Sequence, residues 1–109
     1  MIEAKALRLV GTVCPDMSKL AEFNEWYNHV HIPEVLSRIP GAKTAARFEM
    51  VNPKPGEPQY IALYEIEGAP PDSFEKYNAK VHAGEVPDWK WGPPVQVVWR
   101  GNLKRIPLL

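Results

Sequence analysis

Twelve prolines are spread along these 109 residues, at positions 15, 33, 40, 53, 55, 58, 70, 71, 87, 93, 94 and 107. A proline ring fixes φ and removes a backbone donor, so prolines belong between elements rather than inside helices or central strands. The distribution leaves no room for a long helix, a coiled coil or a solenoid. The proline-free windows are 1–14, 16–32, 41–52, 59–69, 72–86 and 95–106. Each is long enough for one element.

Four windows alternate with a period of two, the mark of a strand with one face inward. In Lys5–Val13, Leu7, Leu9 and Val13 share one face while Arg8, Val10 and Thr12 share the other. Ala42–Val51 places Ala42, Ala46, Phe48 and Met50 opposite Lys43, Arg47 and Glu49. Tyr60–Glu67 and Val95–Asn102 alternate in the same way, and every strand has one strongly apolar face and one mixed face.

The other two windows are helical. Asp16 is placed to cap a helix whose stripe is Leu20, Phe23, Tyr27 and Val30, with Asn24 and His31 on its shoulder and Trp26 outside it. Pro33 disfavours helical geometry at Ile32, so this helix is expected to end or kink near His31. Pro33 itself opens a short further turn through Arg38. A second helix begins at Asp72 or Ser73, buries Phe74, Tyr77 and Val81, and stops at Gly84. The order β-α-β-β-α-β predicts an α+β, ferredoxin-like fold, a four-stranded antiparallel sheet with both helices on one face. Residues 1–109 read as one such domain, with no internal repeat. The helices cover one sheet face; the other, expected to carry large and mixed side chains, calls for a partner, and a homodimer packed sheet to sheet is the economical answer.

Composition narrows the function. Hydrophobic residues are 45% and charged residues 24%, with thirteen of each sign and zero net charge. A chain of this length buries about two-thirds of its unfolded surface in one core. With no basic cluster beyond Lys104-Arg105, no nucleic-acid partner is expected. No apolar run approaches the ~20 residues of a membrane span, so no membrane partner is expected either. Nothing at the N-terminus reads as a leader, and the single cysteine, Cys14, makes no internal disulfide, so a cytoplasmic location is expected. Phosphate loops, dinucleotide fingerprints and the nucleophile elbow are all missing.

His31 is the most informative residue. A helix end favours its charged form and burial the neutral one, opposed influences that suit acid–base work. The alternative is a core histidine bonded to a free carbonyl. His29 lies about 200° around the helix from His31, so the pair does not clamp a metal, and no metal or cofactor is expected. Tyr27 is a candidate hydrogen-bond donor. Asn24 and Arg47 are candidates to orient a carboxylate or carbonyl, with Arg8 and Arg100 as the other strand arginines of that type. Trp26, Trp89 and Trp99 offer apolar walls, and His82 a place at a cleft mouth.

The run from Phe23 through Trp26, Tyr27 and His31 to Pro33 resembles the F-x-x-W-Y-x-x-x-H-x-P signature of EthD-like proteins in the dimeric α+β barrel superfamily. Ile39-Pro40-Gly41-Ala42, leading into Arg47-Phe48, matches its usual continuation. The resemblance implies a sheet-to-sheet dimer with a ligand cleft between sheet and helices, and His31 matches the family's histidine. Relatives on that scaffold include polyketide cyclases, muconolactone isomerases, cofactor-independent monooxygenases and heme-handling enzymes. The histidine that such cyclases often carry in the first strand is absent here.

The expected function is a cofactor-independent isomerase, lyase or cyclase acting on a small oxygenated aromatic, polyketide-like or ring-fission lactone substrate. His31 moves a proton and Tyr27 donates to an oxyanion. A non-catalytic small-ligand-binding protein is the alternative from another class, and a cofactor-independent monooxygenase is a third.

Overall fold

In a computed structural model, which describes residues 4–108, the strands are β1 (Ala6–Val13), β2 (Ala42–Glu49), β3 (Tyr60–Ile66) and β4 (Gln96–Lys104). The helical segments are α1 (Leu20–Trp26), α2 (Ile32–Arg38) and α3 (Ser73–His82). Every strand pairing is antiparallel, in the order β2-β3-β1-β4. This is the expected α+β, ferredoxin-like arrangement.

Local chemistry accounts for most boundaries. Asp16 accepts from both the backbone N–H and the hydroxyl of Ser18, which opens a short 3-10 turn that feeds α1. Gly84, at φ 73°, follows Ala83 at the end of α3 and takes the left-handed conformation that closes a helix. The core lies between sheet and helices, where Phe23, Tyr27, Val35, Ile39 and Phe74 pack on Ala62, Tyr64 and Ile66.

Four expectations need correction. Of the end or kink expected near His31, the end is absent, and the disturbance there is a widened turn. Tyr27–His31 forms a π turn, Ile32 stays helical at φ −60° and ψ −49°, and the chain runs on into α2. Pro33 carries no N–H, and its ring collides with the carbonyl four residues back in a regular helix. Widening the turn absorbs that clash, with the Ile32 N–H donating to the Tyr27 carbonyl five residues earlier.

Ala42 faces the helices rather than sharing a face with Ala46 and Phe48. The register passes from Ala42↔Ile66 to Thr44↔Glu65, so Lys43 is an extra residue and alternation restarts after it. Trp26 is buried, because the segment after α3 folds over it.

The fourth correction concerns the sheet faces. The mixed face of β1, with Arg8, Val10 and Thr12, is the one turned toward the helices. β3 keeps its more apolar row, Ala62, Tyr64 and Ile66, toward the helices, while Leu9, Phe48 and Trp99 point away from them beside Leu63. Phe48 is 56% exposed there and Trp99 47%.

Candidate functional site

The site begins with the π turn. Residues five apart diverge by about 140° on a regular α-helix, yet here Trp26 and His31 stack, with ring centroids 4.9 Å apart and an interplanar angle of 18°. Hydrogen bonding over five residues brings the fifth side chain round to the side of the first. Tyr27 meets the same imidazole edge-on at 5.1 Å. One widened turn therefore presents Trp26, Tyr27 and His31 as a single cluster.

A loop between α3 and β4 closes over this cluster. Trp26 Nε1 donates to the Lys90 carbonyl at 2.8 Å. A Cβ on Gly92 would lie 2.4 Å from the Trp26 ring, so only glycine permits that approach. Trp89 packs edge-on against His31 at 5.9 Å and donates from Nε1 to Asn78 Oδ1 at 3.0 Å. From α2, Glu34 accepts from the Lys90 N–H at 2.9 Å, and Arg38 donates to the carbonyls of Pro87 and Asp88 while lying over the Trp89 ring. The loop is a clamped wall.

Sheet, helices and loop border a half-open cavity of about 800 Å³. Trp26, Tyr27 and His31 line one side, Trp89 and Trp91 the loop side, and Arg8, Thr12 and Tyr64 the sheet floor. Phe74, Asn78 and His82 come from α3, and Val97 and Arg100 from β4. Its size and apolar walls suit a small aromatic molecule.

Burial pushes the His31 imidazole down to about 4, with nearby Glu34 opposing the shift. At neutral pH the ring is uncharged. The dipole expected to hold it charged is missing, because the helix continues to Arg38 and no helix end lies at His31. His31 Nδ1 is buried without a hydrogen-bond partner among the described residues, as are Tyr64 Oη and Arg8 Nε. Burial also raises the Tyr27 phenol, with Arg47 acting the other way, and raises Tyr64 well above the ordinary range. Both stay protonated and able to donate.

Of the residues singled out from sequence, His31, Tyr27, Trp26, Trp89 and His82 come together around the cavity. Asn24, Arg47 and Trp99 are not among its lining residues. Asn24 stays on the flank of α1, and Trp99 lies on the far sheet face with its ring over Gly101. Arg47 sits behind the cavity wall, its guanidinium 4.4 Å from the Tyr27 ring centroid and its Nη1 donating to Asn28 Oδ1 at 2.9 Å. Arg8 takes the inward position instead, bonded to Glu75 and to Asn102 Oδ1. Tyr64 and Thr12 escaped sequence reasoning. Thr12 lies beside Arg8 on the mixed face of β1, whereas Tyr64 belongs to the apolar row of β3 and reads from sequence as plain core.

Among the described residues no group of three or more His, Cys, Asp or Glu side chains is placed to hold a metal, and no helix is long and apolar enough to cross a membrane.

No family model matches the chain, and no curated protein matches it. Solved structures do. HapK from Hahella chejuensis superposes with a TM-score of 0.60 over 93% of this chain and 92% of its own, at 11% identity. An ethyl tert-butyl ether d (EthD) family protein from Bacillus halodurans C-125 aligns with a TM-score of 0.38 at 16% identity, covering 88% of this chain and 94% of that one. The likeness to HapK shows the fold.

Proposed function

We propose that this chain is a cofactor-independent acid–base enzyme, an isomerase, lyase or cyclase, working on a small oxygenated aromatic or ring-fission substrate held in the cavity. The observation that carries the reading is an uncharged imidazole with an unpartnered nitrogen, stacked on Trp26 in a cavity lined by apolar rings. A buried neutral imidazole accepts a proton only if charge appears beside it to balance the new cation. A substrate that becomes an enolate or phenolate as it loses its proton supplies that balance. Tyr27, held protonated, donates to the developing oxygen anion.

The depressed basicity of His31 also favours a second reading, a binding protein that performs no chemistry. Turnover separates the two. Screened against ring-fission lactones and polyketide-like phenols, the wild type is expected to turn over at least one. His31→Ala and His31→Gln should lower kcat by about 10²–10⁴-fold with the fold intact by circular dichroism. Full activity in both variants overturns the catalytic role.

The same reading makes the protein a homodimer. The outward sheet face exposes Phe48, Trp99 and Leu103 beside half-buried Leu9 and Leu63, a continuous apolar surface that a second copy would cover.

A further inference from the structure

We propose that Tyr27 and Tyr64, flanked by the guanidiniums of Arg8 and Arg47, form a binding site for the ionised oxygen of a phenol or enol ligand. The inference rests on the preceding placement of the ligand in this cavity, but not on any turnover there.

Tyr64 is the first observation. Its side chain is 1% exposed and lines the cavity, and its hydroxyl has no hydrogen-bond partner among the described residues. A buried hydroxyl left unpaired is costly, and an oxygen of a bound molecule would satisfy it. Its neighbour Tyr27 brings a second phenol to the same place, near enough for the Tyr64 hydroxyl to favour the Tyr27 oxygen as a donor does, yet outside hydrogen-bond geometry. Two protonated phenols are donors. They select a ligand that presents an acceptor.

The charge around them favours a negative acceptor. Arg47 lies against the Tyr27 ring from behind, with Nε and Nη2 buried and unpartnered, and no carboxylate among the described residues pairs with it. Its positive charge is therefore uncompensated. Arg8 stands directly across from Tyr64 in the β1–β3 register, and its charge is matched by Glu75.

The other charged and titratable groups do not reverse this balance. Asp88 accepts only from the neutral Trp89 N–H and Trp91 Nε1 and keeps its negative charge, while Glu34 is paired with Arg38 and accepts from the Lys90 N–H. His31 is neutral, Arg100 adds further positive charge from β4, and His82 is exposed on α3. With Asp88 and Arg100 opposite in sign, one unmatched positive charge remains, that of Arg47 behind the Tyr27 ring. At an effective dielectric of about 20, such a charge at close range favours the ionised ligand by roughly tenfold or more.

The test is an equilibrium measurement with 4-nitrophenol, whose absorbance distinguishes its neutral and ionised forms. The ionised form should bind wild-type protein roughly tenfold more tightly, so the pKa of the bound probe falls by about one pH unit. Tyr64→Phe and Arg47→Gln should each return the bound probe toward its free pKa, an effect that a purely structural role for either residue would not produce. Near-UV circular dichroism checks the fold of each variant, and the wild-type shift stands as a test if a variant does not fold. Equal or weaker binding of the ionised form, no binding of either form, or an unchanged preference in both folded variants overturns the proposal. If the preference is found but no substrate turns over, the anion site stands and the catalytic reading fails. If His31-dependent turnover is found without the preference, only the anion site fails.

Discussion

Replacing His31 with asparagine should flatten the acid side of the protein's stability profile. The imidazole titrates at about 4 in the folded chain, against about 6.5 when exposed in the unfolded one. Between those values the unfolded state binds more protons, so stability rises with pH. His31 thus supports a stability that is fully present above about pH 6.5 and is lost as pH falls toward 4. The full span is worth about 3 kcal/mol, and the part between pH 7 and pH 5 about 2 kcal/mol. His29 and His82 are both exposed, and their contributions cancel when variant is compared with wild type. Urea unfolding followed by tryptophan fluorescence at pH 5, 6 and 7 measures the difference directly. Wild type should lose about 2 kcal/mol more than His31→Asn between pH 7 and 5. Parallel profiles would show that the imidazole is not buried as described, and the neutral-base argument would fall with it.

Two further outcomes follow from packing. Gly92→Ala puts a methyl group 2.4 Å from the Trp26 ring; the loop or the indole must move, at a cost of about 1–3 kcal/mol, read as a lower Tm and an altered tryptophan emission. A variant with unchanged Tm and emission would refute the close approach. Phe48→Glu places a charge on the outward sheet face without touching the protomer core, and a dry dimer interface would lose several kcal/mol to it. Analytical ultracentrifugation should show dimeric wild type and monomeric variant, and a monomeric wild type would sink the homodimer.

Much of the scaffold is legible because its signals are local. Strand alternation, the Asp16 cap and the glycine that closes α3 each need only a few neighbouring residues. The site is less so. Pro33 announces trouble for a helix, but a break and a widened turn are both physical answers to the same clash, and the packing of α2 chose the second. Trp26 looks exposed until a loop more than sixty residues later lies down on it. Arg8, Arg47 and Arg100 look alike as strand arginines. Register and topology alone decide that Arg8 and Arg100 face the cavity while Arg47 stands behind Tyr27. Ala42 shows the same limit at smaller scale, since one extra residue at Lys43 inverts its face.

The position of β1 also bears on the order in which the molecule is completed. β1 is made first yet pairs on one side with β4, which is made last. The bond from Arg8 to Asn102 spans 94 residues and that from Trp26 to Lys90 spans 64. Contacts of such sequence separation are slow to form, because long loops must close before any of them contributes. On a ribosome, β1 holds an open edge until nearly the whole chain has emerged, and the loop that walls the cavity docks in the same late stage. A chain stopped before β4 would have all of its helical segments and an incomplete pocket. Ligand binding therefore reports on the last folding step, and a ligand that fits would stabilise the part of the molecule that forms latest.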